Sequence, residues 1–179
     1  SSPKLAEIIG VNAVTTGTPG SETIAMNAFL SDETLMGEAI NEALRAPNHA
    51  DVPVGALIVH QGQIIASRHN EREKTNDPTA HAELLAIRDA SRSLGTWRLD
   101  GANVFCTLEP CAMCASALQQ ARIARLVYGT ADPKTGACGS LYNLSNDPRL
   151  NHQFETRVGV RGEECASLLR SFFAARRKF

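Results

Sequence analysis

A chain of 179 residues, 43% hydrophobic and 21% charged, has the size and composition of one globular domain that can bury a core without disulfides or metal. Its net charge of −1 gives no overall attraction for nucleic acid, and its longest apolar runs, such as Val54 to Val59, are far too short to cross a bilayer. Five cysteines, an odd number with two of them in a CxxC, argue against a secreted disulfide framework and for a reducing, cytoplasmic setting.

Residues 1–30 mix Gly, Pro, Ser and Thr without a sustained period and lack the basic start and apolar core of a signal peptide, so a flexible N-terminal extension is expected ahead of one domain over residues 31–179. Ser31 is a suitable helix N-cap, followed by Asp32 and Glu33 in the first turn. Leu35, Met36, Ala39, Ile40, Ala43 and Leu44 recur at helical spacing and should form the buried face, with Pro47 ending the helix. Val54 to His60 and Gln63 to Ser67 are β-branched runs split by Gln61-Gly62, the pattern of an antiparallel hairpin. Arg68 to Thr79 reads as a polar loop into a helix that starts at His81, carries Leu84, Leu85, Ile87, Ala90 and Leu94, and stops at Gly95. A strand at Asn103 to Leu108 leads into a helix from Cys111 to about Arg122, then a strand at Arg125 to Tyr128 and a Gly-rich loop, Asp132 to Gly139. A last strand near Phe154 to Val160 and an amphipathic helix from about Gly162 to Lys178 complete the chain. Helices alternating with strands through single-helix crossovers imply a layered α/β sheet.

Chemistry concentrates in two short runs, His81-Ala82-Glu83 and Pro110-Cys111-Ala112-Met113-Cys114. Cys111 and Cys114 are i, i+3 in the first turn of a helix, so both sulfurs lie on one face where unpaired backbone N–H groups favour thiolates. With His81 they make a three-ligand zinc set that leaves a tetrahedral position open for water, the pattern of catalytic rather than structural zinc. Glu83, two residues from His81, points elsewhere and suits proton transfer better than ligation of the same metal. A CxxC alone is also shared by redox pairs and zinc knuckles, but neither accounts for the accompanying His-Ala-Glu.

These runs carry the H-x-E and P-C-x-x-C signature, and the chain resembles the cytidine deaminase-like zinc deaminases. Further matches are similar to bacterial tRNA-specific adenosine deaminases: Asp51-Val-Pro-Val-Gly55, Asn70, Asp77 to Glu83, Thr107 to Cys114, Asp132 to Gly136, Gly139 to Leu141, Leu150-Asn-His152, Glu164-Cys165 and Phe172-Phe173. The resemblance runs from about Ser31 to the end and implies a three-layer α/β/α fold with a central mixed five-stranded sheet. It also implies one Zn2+ per subunit on His81, Cys111 and Cys114, and hydrolytic deamination of the wobble adenosine to inosine with Glu83 as proton carrier. The base must be extruded, which a single-stranded anticodon loop permits. By the same resemblance Asn70 holds the purine, Val54 and Leu108 wall the pocket, and the Ala82 backbone N–H faces the substrate. Asp132, Lys134, Asn151, His152, Phe173 and Arg176 match positions used around the loop nucleotides of a tRNA anticodon stem-loop, and the implied assembly is a homodimer. A deaminase of free bases or nucleosides, such as guanine or cytosine, would share the zinc core.

Other residues read as structural. His49, His60 and His69 have no ligand spacing to the cysteines, Trp97 is expected in the core, and Cys138, where a small non-thiol residue is expected, reads as a buried inert thiol. From Arg157 onward six basic residues face two acidic ones, equally consistent with a solvated helix end and a phosphate-contacting patch.

Overall fold

The computed structural model describes residues 30–177; the expected N-terminal extension lies outside the described residues except for Leu30, as does Lys178 at the expected end of the last helix. The chain folds as α1 (Asp32–Ala43), a 3₁₀ turn (Ala46–His49), β1 (Gly55–His60), β2 (Gln63–His69), α2 (Arg72–Thr75), α3 (Ala82–Leu94), β3 (Asn103–Leu108), α4 (Ala112–Gln120), β4 (Arg125–Thr130), β5 (Glu155–Val158) and α5 (Gly162–Arg176). The five strands form one mixed sheet in the order β2-β1-β3-β4-β5. β1 is antiparallel to β2 and β3, whereas β3, β4 and β5 run parallel. Among the described residues no helix is long and apolar enough to cross a membrane.

Alternation along the strands divides the core into two layers. Ala56, Ile58, Val104, Cys106 and Leu126 pack with Ala86, Ala90 and Leu118 of α3 and α4 on one face. Leu57, Val59, Phe105 and Val127 pack with Leu35, Met36, Ala39 and Ile40 of α1 and with Cys165 of α5 on the other. Gly55 allows α1 to lie close: a Cβ there would stand 2.1 Å from the Ala39 carbonyl oxygen. The expected three-layer α/β/α architecture is thus the fold observed.

Several local expectations are corrected. Ser31 caps α1 by accepting the Thr34 N–H (3.1 Å), but the helix closes at Ala43, before Pro47, which sits in the opening turn of the 3₁₀ segment. Leu44 is the C-cap and is 52% exposed rather than part of the apolar face. Trp97 is 61% exposed with the Arg98 guanidinium 5.3 Å from its ring, because the chain runs along the surface after Gly95 and Leu99 takes the core position. The Arg68–Thr79 loop contains the one-turn helix α2, whose Glu73 and Lys74 N–H groups donate to the Asp51 carboxylate (2.9 and 3.2 Å). A cap supplied from more than twenty positions away leaves no local sequence signal. β5 is an exposed edge strand, and only the flanking Phe154 and Val160 are buried.

The topology gathers one end of the sheet. Gly55 pairs with His69 and Leu108 with Thr130, so the entrance to β1 and the exits of β2, β3 and β4 share an edge. From that edge the chain turns into α3 and α4.

Candidate active site

His81 and Cys111 occupy the same structural position on different helices: each is the N-cap, of α3 and α4 respectively, with extended backbone and the first turn beyond it. His81 Nδ1 stands 3.7 Å from Cys111 Sγ and 3.5 Å from Cys114 Sγ. A nitrogen about 2.0 Å and a sulfur about 2.3 Å from a tetrahedral zinc are about 3.5 Å apart, so the spacing suits that ion without rearrangement. The protonation chemistry fits too. The Cys111 thiol is pulled down to about 4 by hydrogen bonding from Cys114 and by His81, while Cys114, buried and sharing its proton with Cys111, is pushed up. Two sulfurs and an imidazole thus cluster around shared protons where a cation would bind, and thiolate is the ligand form.

Glu83, in the first turn of α3, is only 4% exposed, and burial pushes its carboxyl above the usual carboxylate range. His81, Glu83 and Cys111 line a cavity of about 700 Å³ together with Asn70, Val54 and Leu108. Asn70, just beyond β2, is buried and oriented: its Oδ1 accepts the Ala82 N–H at 2.9 Å. The amide NH2 is left as its donor towards the cavity. The Ala82 N–H, expected to face the substrate, is therefore occupied by Asn70, and the Ala82 side chain is buried.

Glu109, which precedes Pro110-Cys111, is a second buried carboxylate with an organising position that the sequence reading did not single out. It accepts the N–H groups of Asp132, Cys138 and Ser140 (2.9, 3.0 and 2.9 Å) and the Ser140 hydroxyl, and so folds the Asp132–Ser140 loop over the cavity edge. Gly136 admits this carboxylate, since a Cβ there would meet Glu109 Oε2 at 2.4 Å. The available signal was an acid directly beside a metal-ligand motif in an otherwise apolar strand end. Cys138 lies buried against the loop, its thiol pushed up to about 12 by burial first and then by Glu109, as expected of an inert cysteine.

The residues expected around an RNA loop separate into two groups. Asp132, Lys134 and Phe173 line the cavity mouth. The Asp132 carboxylate also accepts the Lys134 and Thr135 N–H groups, so it shapes its own turn. Asn151, His152 and Arg176 are outside the cavity lining. Asn151 Oδ1 accepts from Gln119 and Arg122 (2.8 and 3.0 Å), His152 Nε2 donates to the Ile123 carbonyl (2.7 Å), and Arg176 donates to the Ala50 carbonyl while lying 4.3 Å from the Phe172 ring centroid. Arg72, Arg170 and Arg177, absent from the sequence expectation, do line the mouth. Residues 170, 173 and 177 share a helical stripe on the cavity side of α5, and one residue's rotation takes Arg176 off it.

The cytidine and deoxycytidylate deaminase zinc-binding region matches residues 30–130. The tRNA-specific adenosine deaminase of Bacillus subtilis is 49% identical over 147 residues, covering 82% of this chain and 91% of the relative. The tRNA-specific adenosine deaminase of Haemophilus influenzae is 41% identical over 148 residues, 82% of this chain and 86% of its own. A solved structure from work on A-to-I editing by tRNA:A34 deaminases at the wobble position superposes with a TM-score of 0.74 at 43% identity, covering 76% of this chain and 99% of that one. The guanine deaminase of Nitrosomonas europaea, at 20% identity and a TM-score of 0.71 over 90% of this chain and 97% of its own, shares the fold. The chain belongs to the zinc-binding cytidine and deoxycytidylate deaminase family, among its tRNA-specific adenosine deaminases.

Proposed function

We infer that the protein hydrolyses the wobble adenosine of a tRNA anticodon loop to inosine with one Zn2+ bound by His81, Cys111 and Cys114. The observation that carries this reading is the buried Glu83 carboxylate beside those donors in a cavity where Asn70 presents an oriented amide. Zinc, when bound, supplies the Lewis acidity that brings a water's pKa towards neutrality. In the reaction water adds at C6, the C6–N6 bond breaks, ammonia leaves and inosine remains. Glu83 takes a proton from the water and returns one to N6; burial, which favours its protonated form, strengthens it as the base for the first of these transfers. Asn70 donates its NH2 to a ring acceptor and fixes the base, while Val54 and Leu108 contact its faces and help exclude water.

Around this floor Lys134, Arg170 and Arg177 supply positive charge for flanking phosphates and Phe173 a surface for stacking, which suits an extruded nucleotide still joined to its strand. Asp132 holds the turn that carries Lys134. We further propose a homodimer acting in the cytoplasm, its RNA surface continuing over a second copy. The Asn151–His152 turn and Arg176, lying outside this chain's own cavity lining, are the segments through which that continuation would contact RNA. Incubation with an anticodon stem-loop bearing adenosine at the wobble position should give inosine and one ammonia per base. No inosine in the RNA, with ammonia released from free guanine or cytosine, would replace this reading by free-base deamination. Light scattering after size exclusion should give twice the chain mass.

A further inference from the structure

His49, at the end of the 3₁₀ turn, and His69, the last residue of β2, face one another with Nε2 atoms 3.0 Å apart and ring centroids 5.1 Å apart. His49 Nδ1 is 2.7 Å from Asp51 Oδ2, and His69 Nδ1 is 2.6 Å from Glu42 Oε1. A carboxylate oxygen accepts and a ring N–H donates, so each Nδ1 turns its hydrogen to the acid it faces. Both Nε2 lone pairs are then directed into one gap, where they repel unless a positive centre lies between them.

This is the arrangement of metal-bound histidines, in which one ring nitrogen donates to a carboxylate and the other ligates. Two nitrogens each about 2.1 Å from a metal and at a right angle around it stand about 3.0 Å apart. Glu71 supplies an oxygen: Oε1 is 3.7 Å from His69 Nε2, and the three donor atoms lie within 4.8 Å of one another. Arg68 pairs with Glu71 Oε2 and Lys74 with Oε1, both at 2.9 Å. Lys74 has a half-exposed side chain that can swing into water as a cation takes its place, and Arg45 neutralises Glu42 from outside the gap.

We propose that His49, His69 and Glu71 form a second metal site, distinct from the zinc donors, for a divalent first-row transition ion. Two imidazoles and a carboxylate suit zinc, cobalt, nickel or copper. An ion there links the 3₁₀ turn to the segment His69-Asn70-Glu71, and so braces the strand end that carries Asn70. Its role is to hold the cavity wall, with no part in proton transfer.

The test is titration of the full-length, zinc-loaded protein with Co2+, read by visible absorption and elemental analysis. One further equivalent should bind, giving d–d bands without thiolate-to-cobalt charge transfer and without loss of zinc. His49→Gln should weaken cobalt binding about tenfold or more, and His49→Gln with His69→Gln should abolish it. No second equivalent would mean that the rings share only a proton and would overturn the site, as would charge-transfer bands with zinc release, which place cobalt on the cysteines. Should the double variant fail to fold by circular dichroism, the partly exposed His49 decides alone: cobalt uptake unchanged in His49→Gln sinks the proposal.

Discussion

At the floor of the cavity the zinc donors and their partners are held by backbone: His81 and Cys111 are helix N-caps, Cys114 and Glu83 lie in first turns, and Asn70 is tied to the Ala82 N–H. At the mouth, Lys134 extends from a turn while Arg170, Phe173 and Arg177 occupy exposed positions on α5 and its C-cap. Floor groups have little freedom left and are placed to act on one atom. Mouth groups are solvent-exposed, with Arg170 held only by a surface pair to Glu163, and can follow a flexible strand. Loss of a floor residue should therefore act on the chemical step, whereas loss of a mouth residue should act on binding and its salt dependence.

The largest expected effect is at Glu83. Glu83→Gln should lower kcat by about 10²–10⁴-fold in single-turnover inosine assays with zinc content and melting temperature nearly unchanged; activity within threefold of the parent would remove Glu83 from proton transfer. Cys111→Ala should leave less than stoichiometric zinc and background activity, and zinc readdition restoring full turnover would show that Cys111 is dispensable. Asn70→Ala comes next, with kcat/KM down about tenfold to a hundredfold, because a hydrogen bond to the base is lost and the buried Ala82 N–H is orphaned at a cost of about 1–3 kcal/mol. Denaturant melts separate the two contributions, and a variant destabilised but kinetically normal would make Asn70 purely structural.

The mouth is tested by neighbouring arginines. Arg177→Ala should raise KM for an anticodon stem-loop more than it lowers kcat and reduce the log–log salt slope by about 0.7, the value for one phosphate contact on a single strand. Arg176→Ala should change that slope less, since its guanidinium is engaged with the Ala50 carbonyl and Phe172. Equal slopes would erase the distinction drawn along α5. The smallest effect on activity belongs to a position away from both regions. Asp32, chiefly through its hydrogen bonds to Arg125 and despite burial, titrates below its ordinary value. A carboxyl with a depressed folded-state pKa stabilises above the unfolded value near 3.8 and loses that contribution as pH falls through the folded one. Asp32→Asn should leave turnover at neutral pH unchanged and flatten the acid limb of the stability profile below about pH 5; an unchanged acid limb would show that the pair contributes nothing.

Much of the floor was legible because its spacing is local. Cys111 and Cys114 meet on one helical turn, and His81 with Glu83 opens another, so short-range periodicity alone brings the right groups to two helix starts. The central strands were equally legible as short apolar, β-branched runs, since β1, β3 and β4 bury both faces in a three-layer fold. Trp97 was misplaced because hydrophobicity says nothing about which of two nearby residues the chain can turn inward, and Leu99 won. Glu109, Asp51 and the short α2 depended on hydrogen bonds spanning more than twenty residues. Arg176 and Arg177 differ by one step of helix rotation, which composition cannot resolve.

Residue identity and spacing by themselves brought out the Cys111–Cys114 pair, the His81-Ala82-Glu83 run, the central strands and the α/β class, because each follows from contacts within a turn of helix or a stretch of strand. Tertiary structure decided which end of the sheet gathers those donors, which basic residues reach the mouth, that Asn70 is oriented by Ala82, and that His49 and His69 meet at all. The physical reason is the parallel crossover between β3 and β4 and the antiparallel return of β1, which bring distant strand ends to one edge. That pairing is fixed by burial of two faces at once and leaves no mark at any single position.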